Sequence, residues 1–277
     1  ATIHIQFTRF SAFYSPLIST MSGGFLAAEG LEASHSIAAP GESAIDALVD
    51  GSAQVVQSAL SQGLTSLEKG EEPAALHFAQ VNEKDGFFLT AREPDADFQW
   101  HKLRGRKVLV DHGGQPLAMF KFACHKMNLD FASIDVVDAG SGAEMDAAFR
   151  AGQGDYIHQQ GPAPQQLEHD NVGNVVAAVG DAIGPCGFSS LAATREWLQT
   201  DMAKAFMRAY HKTRRYMNET PAEEIAAAEK AAAQGVRPVR RALRRRLCTL
   251  RAAAAPGPSG WRNSHVLKMM DVVGGRS

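Results

Sequence analysis

Two periodicities alternate along the chain as far as Gly70, and this alternation narrows the fold more than any other feature. Thr2-Ile3-His4-Ile5-Gln6-Phe7-Thr8 puts Ile3, Ile5 and Phe7 on one face at a spacing of two, the mark of a strand. A helical stretch follows from about Pro16, whose missing N–H suits a first helical turn, and it ends near Gly30. Leu31 to Ile37 reads as a second strand. Pro40-Gly41-Glu42-Ser43 then opens a helix with apolar Ala44, Ile45, Leu48 and Val49, capped by Ser43 and ended by Gly51. Gln54-Val55-Val56-Gln57 is a short strand, and a further helix runs to Gly70. Strand and helix in strict alternation predict parallel βαβ units with the sheet covered by helices.

The pattern recurs. Gly41, Ala47, Gly51 and Gln54 are repeated at a constant offset of 101 as Gly142, Ala148, Gly152 and Asp155. Each copy is a helix that ends at glycine and feeds a short strand, and Ser141 with Glu144 forms a capping box in the second. Two α/β lobes are therefore expected, the second starting near Glu93-Pro94. Lys107-Val108-Leu109-Val110 has the continuous apolar character of a buried parallel strand. It leads through Asp111-His112-Gly113-Gly114-Gln115-Pro116 into a helix carrying Leu117, Phe120, Cys124 and Met127. Further strands are expected at Ile134 to Val137, Tyr156-Ile157 and Val175 to Val179, and Gly184 to Phe188 reads as the return crossing. Beyond it, Met202, Phe206, Ala209, Tyr210, Thr213 and Met217 follow a 3.6-residue period. Thr220-Pro221-Ala222-Glu223 marks another helix start. Seven arginines lie between Arg237 and Arg251, ahead of an Ala/Pro/Gly stretch. They read as a solvated basic face and a linker, since no aromatic platform for nucleic acid accompanies them.

Composition removes several classes of function. Lys+Arg 28 against Asp+Glu 30 gives a net charge of −2, so no overall basic field recruits nucleic acid or anionic membrane. No run of about 18 apolar residues is present. Cys124, Cys186 and Cys248 are far apart and form no CxxC pair, against a disulfide scaffold or a zinc ribbon. Ten histidines show neither HxxxH nor HExxH spacing, so no metal ligands are assigned. The phosphate-binding patterns GxGxxG and GxxxxGK[ST] and the nucleophile elbow GxSxG are all absent. Ala1-Thr2 runs straight into a strand, as in a cytosolic protein or in the processed form of an exported one.

Phe10-Ser11-Ala12-Phe13-Tyr14-Ser15-Pro16-Leu17, Gly24-Phe25 and Glu29-Gly30-Leu31-Glu32 resemble the opening of one family of substrate-binding proteins. Its members serve ABC transporters for nitrate, sulfonate, taurine and thiamine-pyrimidine precursors. The resemblance continues through Gly41 to Gly51, Leu103-Arg104-Gly105-Arg106-Lys107-Val108, Ala193-Thr194-Arg195-Glu196-Trp197-Leu198 and Ala209-Tyr210, and stops near Arg237. It implies an α/β, two-lobed type II periplasmic-binding-protein-like fold with the ligand cleft between the lobes. The first lobe would comprise 1–91 and 189–277, and the second 92–188. The family also implies export to the periplasm, a membrane ABC permease as partner, a monomer, and no cofactor. Open α/β sheets bind ligands beyond the carboxyl ends of their strands, where helix N-termini offer unpaired N–H groups.

The loops expected at those strand ends supply the candidate ligand-binding residues: Ser11, Phe13, Tyr14, Glu42, Ser43, Ser58, Asp111, His112, Gln115, Gln159 and Phe188. Hydroxyls, amides and rings dominate, and the loops themselves carry no Lys or Arg; Arg9, just before the first, is the nearest cation. Such a lining suits a planar, neutral or weakly basic molecule, pyrimidine-like, with Phe13, Tyr14 or Phe188 on its face and Glu42, Asp111 or Gln159 on its polar edge. Several of these have a structural reading as well. Ser43 caps a helix, Phe13 and Tyr14 suit a core, and Asp111-His112 is no catalytic dyad because neighbours on an extended segment point opposite ways. A related eukaryotic thiamine-pyrimidine synthase uses a lysine for pyridoxal phosphate, a sacrificial histidine and a cysteine-rich iron motif. This chain has Ser58 and Gln62 where the lysine and histidine would stand, and no cysteine cluster. A solute-binding protein that performs no chemistry is therefore expected. The alternatives are that enzyme or a cytosolic ligand-sensing domain of the same fold.

Overall fold

A computed structural model describes residues 1–39 and 42–233. Pro40-Gly41 and the arginine-rich stretch from Arg237 lie outside the described residues. In chain order the elements are β1 (Thr2–Phe7), α1 (Ser15–Ser22), α2 (Phe25–Ala28), β2 (Glu32–Ile37), α3 (Asp46–Val49), β3 (Val55–Ala59), α4 (Ser61–Glu68) and β4 (Leu76–Gln80). They continue with β5 (Phe87–Ala91), β6 (Lys107–Val110), α5 (Gly114–Lys126), β7 (Asp135–Val137), α6 (Gly142–Arg150), β8 (Tyr156–Gln160), α7 (Ala163–His169), β9 (Asn174–Ala178) and α8 (Val179–Ile183). β10 (Ser189–Ala193), α9 (Arg195–Leu198), α10 (Asp201–Glu219) and α11 (Ala222–Ala233) complete them.

The strands form two five-stranded sheets, ordered β2-β1-β3-β10-β4 and β7-β6-β8-β5-β9. The orders match strand for strand. The offset of 101 read from the sequence carries β3 onto β8, the strand in the same place in the other sheet. In each sheet four strands run the same way, and the strand reached by crossing from the other half, β10 or β5, is inserted antiparallel between two of them. Both sheets are thus mixed, where strand–helix alternation alone predicts parallel ones.

Alternation along β1 buries Ile3, Ile5 and Phe7 completely, against Leu17 and Ile18 of α1 and Phe206, Ala209 and Tyr210 of α10. A second core packs Phe87, Leu89, Val108 and Val110 against Phe120 and Cys124 of α5. At roughly 1.5–3 kcal/mol for each large apolar side chain taken out of water, these two clusters hold their sheets and helices together. Among the described residues, no helix is long and apolar enough to cross a membrane.

Three elements differ from the sequence expectation. The helix expected from Pro16 to Gly30 is broken at Gly23-Gly24. Gly24 has φ +76, and a Cβ on Gly23 would lie 2.7 Å from the carbonyl oxygen of Ser19. The helix expected from Ser43 is only the turn Asp46–Val49, and Ser43 makes a local turn instead, its Oγ accepting from the Ile45 amide at 3.3 Å. Phe87–Ala91, grouped with the first lobe by the division at 91/92, is bonded between β8 and β9 of the second sheet. Phe87 and Leu89 supply part of the second core, so the chain leaves the first sheet after Gln80.

α11 is fastened to α1 by a buried carboxylic acid. The hydroxyls of Ser15 and Ser19 both donate to Glu229 Oε1 at 2.5 Å. Burial pushes this carboxyl up to about 7, although the two serine bonds favour its charged form. The folded state holds the proton more tightly than the unfolded chain. The contact's contribution is therefore complete below about pH 4.5 and is lost as pH rises toward 7. Glu229→Gln stays neutral and still accepts both bonds. It is expected to stabilise the fold by about 1–3 kcal/mol at pH 8 and by little at pH 4, read by thermal unfolding at the two pH values. Equal shifts at both would show that ionisation of Glu229 is not what limits the contact.

Candidate functional site

The carboxyl ends of β1 and β3 in one sheet and of β6 and β8 in the other lead into loops that meet across the gap between the halves. Arg9, after β1, donates through Nη1 to Gln160 Oε1 at 3.3 Å, and Gln160 Nε2 donates to the Tyr14 hydroxyl at 3.4 Å. Ser61, at the start of α4, donates to Gln115 Oε1 at 3.3 Å, and Gln115 Nε2 donates to the Phe188 carbonyl at 3.0 Å. Five side chains thus bridge the halves.

Phe13 sits at the pivot. It packs against both large cores, its ring edge-on to Phe188 (5.7 Å, 85°) and to Tyr14 (5.5 Å, 73°), and its carbonyl accepts from Asn82 Nδ2 at 3.1 Å. A Cβ on Gly86 would lie 1.9 Å from that ring, so only glycine lets Phe13 close over the first crossing segment. The two crossing segments are also tied to each other: Cys186 N donates to the Glu83 carbonyl at 2.7 Å, and Gln80 Nε2 to the Cys186 carbonyl at 2.9 Å. Asp85, buried in the first crossing, accepts from Phe87 N at 2.7 Å. Burial pushes its carboxyl up to about 7, despite the opposing effect of that bond.

The other candidates divide by how they are held. Ser11 Oγ accepts from Phe13 N at 3.2 Å and shapes the turn after β1. Tyr14 is 5% exposed, with its ring in the first core and its hydroxyl reaching Gln160. Glu42 is exposed and accepts from Ala39 N at 3.1 Å, and Ser43 Oγ donates to Gln62 Oε1 at 3.1 Å. Asp111 Oδ1 accepts from Gly113 N at 2.8 Å. His112 Nδ1 lies 2.7 Å from the Val110 carbonyl, which can only accept, so Nδ1 carries the proton. Each group of the Asp111-His112 pair is thus engaged with backbone.

Three candidates lie deeper than their loops suggest. Ser58 is fully buried, its hydroxyl 3.4 Å from the Ala59 carbonyl. Phe188 is buried in the second core, and its carbonyl rather than its ring is offered to Gln115. Gln159 is buried against α6 and donates to Asp146 Oδ1 at 3.3 Å, while Arg150 holds Asp146 through Oδ2 at 2.6 Å. Its neighbour Gln160 takes the cleft position. Sequence reasoning missed Gln160, Ser61 and Asn82. β8 is covered on both faces, so apolar alternation carries no signal for choosing between two adjacent glutamines. Among the described residues, no group of three His, Cys, Asp or Glu side chains is arranged to hold a metal ion.

Comparison with known proteins fits this geometry. YtlA of Bacillus subtilis (strain 168), which carries the name of a binding protein, is 27% identical over 219 residues, 78% of this chain and 66% of its own length. This chain therefore spans just under two thirds of that relative. The periplasmic aliphatic sulphonate binding protein SsuA of Escherichia coli superposes with a TM-score of 0.63 at 17% identity, over 84% of this chain and 79% of SsuA. The periplasmic nitrate-binding protein NrtA of Synechocystis PCC 6803 gives 0.60 at 17% identity, over 82% and 65% of the two chains. At these identities the two structures establish the shared fold, two α/β lobes with a cleft between them. The model of the family described as NMT1/THI5 like matches residues 13–224, most of the chain, and the protein belongs to that family.

Proposed function

We propose that this protein is the solute-binding component of an ABC-type uptake system. It closes two lobes over one small molecule and hands it unaltered to a membrane permease. The observation that carries this reading is the cleft itself: loops from the carboxyl ends of both sheets face each other and already exchange hydrogen bonds through Arg9, Tyr14, Gln160, Ser61 and Gln115. A molecule placed there touches both lobes only when they are closed, and that difference in contacts moves the equilibrium. The lobes correspond to the two sheets, with β10 returning the chain to the first and the segments 81–86 and 184–188 serving as the hinge. Export to the periplasm and work as a monomer go with this role.

The solute is a planar, neutral or weakly basic molecule of pyrimidine-like character. Amides and hydroxyls dominate the cleft, and Arg9, the cation beside it, already donates to Gln160. Tyr14, Ser11, Glu42, Ser43, Asp111, His112 and Gln115 stand in the loops that would meet it, with Phe13 behind them. No chemistry is assigned. The position that would need a Schiff-base lysine is Ser58, whose hydroxyl is buried within the first sheet.

Native mass spectrometry of freshly purified protein tests the reading. One retained solute per chain, released with unchanged mass, is the expected result. A titration panel of heterocycles, sulfonates and nitrate then tests the ligand class: binding of sulfonates or nitrate alone would overturn the neutral-ligand reading.

A further inference from the structure

We propose that Gln115 and Gln160, both in the second lobe, form a pair of latches that bias the lobes toward closure before any solute arrives. The inference rests on the two-lobed fold and the bonds in the cleft, not on what the solute is. The offset of 101 that carries Val55–Ala59 onto Tyr156–Gln160 also carries Tyr14 onto Gln115. Tyr14 and Gln115 therefore occupy the same place in the two lobes, in or just after the turn that follows the equivalent strands β1 and β6. Gln160 ends the third parallel strand of one lobe, and Ser61 stands two residues past the end of its counterpart β3. The two bridges, Gln160 to Tyr14 and Ser61 to Gln115, thus use equivalent positions on one side, Tyr14 and Gln115, and reach them from the ends of the equivalent strands β8 and β3, two residues apart in register. Arg9 reinforces the first bridge by donating to Gln160 Oε1, and Gln115 extends the second by donating to the Phe188 carbonyl beside the hinge.

The placement gives the pair a role that one chance contact would not have. Two bridges between separate pairs of loops resist twisting as well as opening. Each neutral bond is modest, shifting the closed-to-open ratio by roughly fivefold, and the pair together by more than about tenfold. That biases the empty protein toward the closed form, yet leaves bonds weak enough for a solute with polar edges to replace them one at a time and complete the closure.

Small-angle scattering of the solute-free full chain, stripped by unfolding and refolding, provides the test. Gln115→Ala/Gln160→Ala is expected to shift the fitted population more than about tenfold toward the open form, with a larger radius of gyration than the unaltered protein. Arg9→Ala removes an exposed side chain and leaves both cores intact, so it serves if the double variant does not fold; it is expected to move the population the same way by a smaller factor. Gln160→Glu puts a carboxylate against Arg9 and is expected to shift the population toward the closed form, an effect that fades at high salt. Gln166→Ala, which loses only a bond to Asp170 within α7 and its cap, is the control. If Arg9→Ala and Gln160→Glu both leave the radius at that of the unaltered protein, or if the double variant folds and does the same, the latch proposal is overturned. Because no solute is present, that failure leaves the binding reading untouched.

Discussion

His158→Phe is expected to stabilise the protein, and to do so most at acidic pH. The His158 ring is fully buried between Phe87 and Phe120, with both centroids 4.6 Å away and the planes within 28° of parallel. Neither ring nitrogen has a hydrogen-bond partner among the described residues. Burial alone drives the imidazole down to about 3, so the folded protein holds it neutral where the unfolded chain would protonate it. The sign follows from that difference. The unfolded state binds the extra proton below its ordinary value near 6.5, so this contribution is complete above that pH and is lost progressively as pH falls toward 3. At pH 5 the loss is about 2 kcal/mol. A phenyl ring offers the same flat stack with no nitrogens to leave unpaired and no proton to exclude. Its gain at pH 7, about 1 kcal/mol from the unmade bonds, should grow by about 2 kcal/mol at pH 5. Denaturant unfolding at the two pH values reads both figures. A gain that does not grow on acidification would show that His158 is not held neutral, and a loss at pH 7 would show that the stack has no room for the larger ring.

Asp85→Asn is expected to act at the other end of the pH range. One oxygen of Asp85 accepts from Phe87 N, and the other is buried without a partner among the described residues. Close by are Cys186 in the other crossing segment and the Lys84–Asp181 ion pair, whose charges are already matched at 2.8 Å. With the carboxyl pushed up to about 7, the folded state keeps a proton that the unfolded chain releases near 3.8. The contribution is present below 3.8 and lost as pH rises to about 7, at a cost of up to about 4 kcal/mol above that. Asparagine keeps the acceptor for Phe87 and cannot ionise, but it buries an amide nitrogen with no evident partner. A net gain of about 1–3 kcal/mol at pH 8, shrinking to nothing or reversing at pH 4, is expected from unfolding curves. A gain independent of pH would remove ionisation of Asp85 from the account. His158 and Asp85 oppose each other between about pH 4 and 6.5, so only the single variants separate them.

The fold was legible in the sequence wherever pattern and punctuation agreed. Alternation in Thr2–Phe7, the apolar run Lys107–Val110 and the capping box at Ser141 each lie where the structure has the corresponding element. The weak repeat at offset 101 anticipated the equivalence of β3 and β8. The crossing strands were harder. Phe87–Ala91 is almost wholly buried and shows no alternation, and nothing local tells a strand which sheet it will join when its partners β8 and β9 lie far along the chain. The loops of the cleft were legible as loops, but the direction of each side chain was not. Gln159 and Gln160 are chemically identical neighbours, and Asp146 on a helix formed earlier in the chain claims the first and leaves the second for the cleft. Phe13 and Phe188 were readable as aromatics near the site. That they meet each other at the pivot depends on the closeness of the two crossing segments, which no short window of sequence contains.

The claim on which the rest turns is that one solute is gripped by both lobes at once. Amide hydrogen exchange of the full chain, with and without the solute that native mass spectrometry identifies, tests it most directly. The account predicts that binding slows exchange together in Ser11–Tyr14 and around Ser61 on one side and in Asp111–Gln115 and Gln160–Gly161 on the other. Protection confined to the loops of a single sheet, with those of the other unchanged at saturation, would contradict it.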